Sequence, residues 1–273
     1  MMLAAQIADG LRPVVDLVYP PRCPLCGDAV AAQGGLCGEC WGDLEMPGTP
    51  ACRLCNRPVA QSDSTCLICE NTPPRHAGIH AATLYNDASR KLILAFKHGG
   101  KISLAGLLAR LMAARLPEFA GQKPLLVPVP LRRWRIWQRG FNQAALLGRE
   151  LERLGKGELL VDALVRDKCT PSLGGLGRGE REKALSGAIS VRSSRVSDVA
   201  DRDVVLVDDV LTSGATSDAC VRTLLEAGAR SVRIACFARV VDGLGLSRNS
   251  SSSGQKIEPK NITPEVMKTS GAT

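Results

Sequence analysis

Residues 204–229 read VVLVDDVLTSGATSDACVRTLLEAGA, and the rest of the chain is read outward from them. VVLVD, 204–208, is an apolar run that predicts a buried strand ending in the acid pair Asp208-Asp209. Thr212-Ser213-Gly214-Ala215-Thr216 follow, and apolar spacing predicts a helix from Thr216 to Ala227. Small side chains at 213–215 let backbone N–H groups close on an anion, to which the helix start adds partial positive charge. Thr212, Ser213 and Thr216 add hydroxyl donors, and the loop has no lysine, so it is not a Walker A loop. Adjacent carboxylates at a strand end can accept hydrogen bonds from vicinal hydroxyls or help hold hydrated Mg²⁺. Phosphate donors beside hydroxyl acceptors describe a ribose 5-phosphate site. An ordinary turn capped by Thr216 would account for that hydroxyl but not for the two acids.

Further strands are expected at 79–85 (IHAATLY), 125–129 (LLVPV), 159–165 (LLVDALV), 188–191 (AISV) and 232–238 (VRIACFA). Between them, Leu92, Ile93 and Phe96 mark a helix stopping at Gly99-Gly100, and Leu104, Leu107, Leu108, Leu111 and Met112 mark another. A third runs from Phe141 to Leu154. Strands alternating with helices predict an α/β fold around a parallel sheet, with ligands beyond the carboxyl ends of its strands.

The amino-terminal part is different in kind. Of eleven cysteines, eight form four C-x-x-C pairs: Cys23/Cys26, Cys37/Cys40, Cys52/Cys55 and Cys66/Cys69. The last two pairs repeat the first two at an offset of 29 residues, and CPLCGDAV aligns with CRLCNRPV, so one unit occurs twice. Four thiolates from two such turns suit one tetrahedral zinc, and two repeats suit two, with ligand exchange between repeats left open by the spacing. Gly27 and Gly38 stand where the turns are tight. All-cysteine sites have no open coordination position, so these zincs are structural, and their binding supplies folding free energy to a segment poor in large apolar residues. No βαβ pattern surrounds any pair, which disfavours thioredoxin-like redox chemistry.

Charge follows the same division. The net charge is +8, yet residues 1–75 hold five arginines, no lysine and eight acids, a net of −3 against +11 for the rest. A basic second part suits polyanionic ligands. LRRWRIWQRG, 131–140, interleaves Arg132, Arg133, Arg135 and Arg139 with Trp134 and Trp137. These arginines could neutralise pyrophosphate, or, with the tryptophans, stack and hold single-stranded nucleic acid. No stretch approaches eighteen apolar residues, so no membrane insertion is expected. The start lacks a basic n-region and breaks at Pro13, which points to a cytoplasmic protein.

VVLVDDVLTSGAT resembles the phosphoribosyl pyrophosphate (PRPP) motif of type I phosphoribosyltransferases. With RGFNQA at 139–144 and the duplicated cysteine module, residues 15–242 resemble the ComF family (competence protein ComF, or GntX-like). The resemblance implies a type I phosphoribosyltransferase-like sheet behind a double zinc ribbon, and PRPP bound with Mg²⁺. Asp208 and Asp209 would meet the ribose hydroxyls, residues 212–216 the 5-phosphate, and Val129-Pro130-Leu131 the pyrophosphate. Residues 166–188 would form a lid, which departs from the family pattern at Leu173 and at Ala184-Leu185. Purine-salvage enzymes carry an acid where this chain has Thr212, which argues against that acceptor class. The physiological role implied is DNA uptake in natural transformation. The other reading is a non-catalytic adaptor contacting single-stranded DNA, competence-machinery proteins or a helicase-like partner.

The expected organisation is a helical segment at 1–19, the double ribbon at 20–75, the phosphoribosyltransferase-like part at 76–243 and a disordered tail at 244–273. His76, His80 and His98 form no triad with a nucleophile. Cys169, Cys220 and Cys236 read as lid or core residues.

Overall fold

The computed structural model describes residues 17–61, 64–98, 101–131, 140–166 and 187–241. The amino-terminal sixteen residues, the tail, most of the expected lid with Cys169, Leu173 and Ala184-Leu185, the Gly99-Gly100 stop, and residues 132–139 lie outside them.

The cysteine module comes first, and its two repeats fold alike. Each turn closes on its first cysteine: Gly27 N–H donates to the Cys23 carbonyl at 2.9 Å, and Asn56 N–H to that of Cys52 at 2.8 Å. Gly27 takes a φ of +87° and its counterpart Asn56 one of +57°, the left-handed corner that the knuckle requires. Gly38 has no such task. It opens a short helix, α1 (Gly38–Gly42), whose counterpart α2 (Leu67–Asn71) begins with leucine.

Next come β1 (Ile79–Leu84), α3 (Asp87–His98), α4 (Leu104–Ala113), β2 (Leu125–Pro128), α5 (Gln143–Arg153) and β3 (Glu158–Leu159). After them follow β4 (Leu164–Arg166), β5 (Ile189–Val191), α6 (Val196–Val199), β6 (Asp203–Leu211), α7 (Ala215–Glu226) and β7 (Ser231–Arg239). Five strands form one parallel sheet in the order β1-β7-β6-β2-β3. Helical crossovers cover both faces of a parallel sheet, which is why its strands read as near-continuous Val/Ile/Leu/Ala runs.

One expected strand divides. LLVDALV supplies β3 to the main sheet and β4 to a separate antiparallel pair with β5. The chain turns between them at Asp162, whose carboxylate holds Arg195 at 3.0 Å and Arg192 at 3.5 Å. An apolar run alone cannot distinguish one strand from two short ones.

Two apolar layers sandwich the sheet. One contains Val204, Leu206, Ile234 and Cys236 under α7; the other contains Val205, Val207 and Phe237 under α3, α4 and α5. The ribbons straddle edge strand β1 and feed both layers. Cys52, Cys55 and Cys69 of the second repeat belong to the α7 layer, while Leu44, with Leu25 and Leu36 against it, joins the other. Ribbon carbonyls also take backbone donors of β1: Ile79 N–H donates to Leu54 O at 3.0 Å and Leu84 N–H to Glu45 O at 2.7 Å. On α4, Arg110 donates to the Gly34 carbonyl, and just beyond that helix Arg115 donates to the Pro47 carbonyl. An exposed strand edge is thereby covered by the zinc module.

Candidate functional site

The carboxyl end of β6 is the centre of the site. The expected strand ends at Asp208, but β6 continues to Leu211 because β7 keeps pairing with it, through Asp208↔Cys236, Val210↔Ala238 and Leu211↔Arg239. The acids therefore lie within the strand, and alternation sends them to opposite faces. Asp208 shares the α7 face with Val204 and Leu206, and its charge is felt by the buried thiols of Cys220 and Cys236. Asp209 lies on the other face, 8% exposed, where α3 presents Lys97 with its Nζ 2.9 Å from Asp209 Oδ2.

The pair is joined through the backbone as well: Asp209 N–H donates to Asp208 Oδ1 at 2.9 Å. Asp208 keeps part of its surface open but lies deep among protein atoms. Burial, and then the neighbouring Asp209 carboxylate, push its pKa up to about 7. Lys97 pulls in the opposite direction. A cation or a hydroxyl donor brought beside it would favour the carboxylate and drive its proton out to solvent.

The loop leaves β6 and enters α7 one residue earlier than the spacing predicts. Gly214 is the N-cap, in the left-handed region at φ +80°, so Thr216 stands inside the first turn rather than capping it. Gly214 has no side chain with which to cap that turn. Its N–H groups, with Gly214 and a partly buried Ser213 ahead of them, make a cradle for an oxyanion. Thr212 is exposed beside it.

Val129-Pro130-Leu131 runs alongside, with Val129 N–H donating to Val207 O at 2.9 Å. Asn142, from RGFNQA, serves this segment twice. Its side-chain oxygen caps α5 by accepting from Ala144 N–H at 3.0 Å, and its amide nitrogen donates to Val129 O at 3.2 Å. The arginines 132, 133, 135 and 139 lie outside the described residues. Lys97 is the residue that sequence reading missed. No local motif marks it; only the placement of α3 against the sheet does.

His76 and His80 are packed beneath the ribbons, with pKa values pushed down to about 4 by burial and then by Arg239 and Arg233 respectively. They stay neutral and do not join the site. Cys220 and Cys236 are core residues with no exposed surface.

The eight module cysteines form two tetrads within their own repeats: Cys23, Cys26, Cys37 and Cys40, then Cys52, Cys55, Cys66 and Cys69, with all sulfurs of a tetrad within 4.8 Å of one another. Cys26 Sγ lies 3.5 Å from Cys37 Sγ, and Cys55 Sγ 3.5 Å from Cys66 Sγ. Tetrahedral zinc with Zn–S near 2.3 Å needs sulfurs about 3.8 Å apart, so the donor set and its spacing suit the ion. Backbone N–H groups already point at the sulfurs, Cys66 N–H to Cys52 Sγ at 3.3 Å and Cys40 N–H to Cys37 Sγ at 3.5 Å.

Comparison with known proteins falls on both parts. The Double zinc ribbon domain family matches residues 14–71, and the Phosphoribosyl transferase domain family matches residues 156–268. Competence protein F of Haemophilus influenzae is 30% identical over 224 residues, which span 80% of this chain and 96% of that protein. The chain belongs to the ComF family. DNA utilization protein YhgH of Escherichia coli K12 is 29% identical over 231 residues, covering 82% of this chain and all of that one. Competence protein ComFC of Bacillus subtilis is 28% identical over 200 residues, 71% of this chain and 79% of that one. This ComF-family chain thus joins a double zinc ribbon with structural zinc to a phosphoribosyltransferase-like α/β sheet. Among the described residues no helix is long and apolar enough to cross a membrane.

Proposed function

We propose that this ComF-family protein binds PRPP with Mg²⁺ at the carboxyl end of β6 and acts in the cytoplasm in the uptake or utilisation of DNA. The observation that carries the reading is the glycine-started first turn of α7 beside Asp208. The 5-phosphate sits on residues 212–216, held by the N–H groups of that turn and the hydroxyls of Thr212, Ser213 and Thr216. Asp208, on the loop's face, accepts from the ribose hydroxyls. Asp209 approaches from the opposite face, and Lys97 beside it supplies positive charge for the pyrophosphate, which extends toward Val129-Pro130-Leu131.

The transfer expected of such a site is displacement at the anomeric carbon. The acceptor forms a bond to that carbon while the bond to pyrophosphate breaks and the leaving group carries the electron pair away. Asp208 and Asp209 would be the oxygen donors for Mg²⁺ or its waters, and the ion would supply positive charge against the pyrophosphate. The names of the relatives, Competence protein F and DNA utilization protein YhgH, support the DNA role.

Isothermal titration with Mg-PRPP tests the site. Saturable binding that disappears on Asp208→Asn combined with Asp209→Asn is the expected result, and absence of binding to the zinc-loaded wild type would end the proposal. Pyrophosphate release assayed across candidate acceptors then tests turnover.

A further inference from the structure

Bordering the phosphate loop at Ala215, a cavity of about 240 Å³ separates the segment leaving the second ribbon from α7. Thr72, Pro74 and Arg75 form one wall, and Ala215, Asp218 and Arg222 the other. The helical members follow i, i+3 and i+7 spacing, which is one face of α7. That helix returns from the carboxyl to the amino end of the strands, so the cavity leads away from the centre of the proposed PRPP site.

Arg222 singles this cavity out. Asp218, four residues before it, lies with its carboxylate against Gly214, 3.5 Å from where a Cβ on that residue would stand. Neither Arg222 nor Arg75 forms a hydrogen bond or ion pair with a described residue, so each wall holds a guanidinium whose donors are uncommitted there. Prolines, alanines and Val221 supply flat apolar surface between them, while Thr72 and the Asp218 carboxylate make the rest of the lining polar.

We infer that this cavity is a second ligand site, taking a small planar heterocycle that bears a carboxylate or phosphate. The ring lies between the prolines and the alanine face of α7. The anionic group meets Arg222 and Arg75, whose planar forks suit two-point recognition of oxyanions. The volume of about 240 Å³ falls just under the roughly 300–1,000 Å³ of drug-sized pockets and suits a small molecule. The site stands independently of PRPP binding. Only its consequence rests on that reading: a ligand touching Ala215 presses on the first residue of the helix proposed to hold the 5-phosphate.

Titration of the zinc-loaded full chain with orotate and with nicotinate, using uracil and nicotinamide as their uncharged counterparts, tests the inference. Each anion is expected to bind at least about tenfold more tightly than its counterpart. Arg222→Ala removes about tenfold or more of that affinity, and Arg222→Lys restores part of it. The Asp208→Asn, Asp209→Asn variant, which abolishes the proposed PRPP binding, keeps this anion binding, so failure of either proposal is seen separately. Anion binding indifferent to both Arg222→Ala and Arg75→Ala, or lost with the aspartates, overturns the inference. Absence of binding by either anion up to about 10 mM does the same. Arg75 is exposed, so Arg75→Ala carries the test should Arg222→Ala fail to fold.

Discussion

Lys97 Nζ and Asp209 Oδ2 lie 2.9 Å apart across the junction of α3 and β6, both largely shielded from solvent. This ion pair ties the helix after β1 to the strand carrying the proposed ribose-binding acids. Removing one partner leaves the other charge stranded in a partly buried place, which costs more than the intact pair contributes. Lys97→Met should lower stability by about 2 kcal/mol. It should also weaken Mg-PRPP binding tenfold or more, while Lys97→Arg keeps most of both. Paired denaturation and titration curves check this; unchanged PRPP affinity in Lys97→Met would leave the lysine a structural tie only.

Asp208 makes stability depend on pH in an unusual direction for a carboxylate. Its folded pKa of about 7 lies above the model-compound value of 3.8, so between those values the folded chain holds a proton that the unfolded chain has lost. Its contribution is fully present below the unfolded pKa and is lost as pH rises through 7, with an upper bound of ~4 kcal/mol. Asp208→Asn should therefore flatten the decline between pH 4 and 7 and exceed wild type in stability at pH 8. Thermal unfolding of the two proteins at matched pH reads the difference, in which zinc-linked protonation is common to both.

The two metal sites should not behave alike. Cys52, Cys55 and Cys69 are buried in the layer under α7, whereas Cys26 is exposed and Cys37 half-buried. Metal analysis should find two zincs per chain, and a chelator with a colour readout should remove them in two phases, the first tetrad faster. Cys55→Ser should destabilise more than Cys26→Ser, because its tetrad is part of a core layer. A single release phase would contradict this order.

Asn142→Ala loses both the α5 cap and the bond to the Val129 carbonyl. Chemical denaturation should show a cost of about 1–2 kcal/mol. If the Val129–Leu131 segment receives pyrophosphate, PRPP affinity should fall further than stability alone explains.

Much of this architecture is legible in the chain itself, for reasons that differ by element. The VVLV run and the small-residue loop announce strand, turn and helix because their periodicities differ and the loop has no bulky side chain. The four C-x-x-C pairs and their repeat at 29 residues are legible, but the partition of the eight thiols into two tetrads, each within its own repeat, comes only with the fold. Where β6 ends is not, since Asp208 to Leu211 stay in the sheet only because β7 runs beside them. The opposed directions of Asp208 and Asp209 follow from that pairing. Lys97 is invisible for a similar reason: residues 97 and 209 meet only through packing. The division of 159–165 depends on a turn whose acid is held by arginines thirty residues away.

The carbonyls of Leu54 and Glu45 also bear on how this protein could be cut apart. A fragment beginning at residue 76 would keep its helices and its phosphate loop but start life with a raw flank. Copies of such a fragment would zip together along that flank into insoluble ribbons, and so would intact chains stripped of metal. Attempts to study the sugar-binding half alone should therefore yield precipitate unless a surrogate lid is engineered over the first strand.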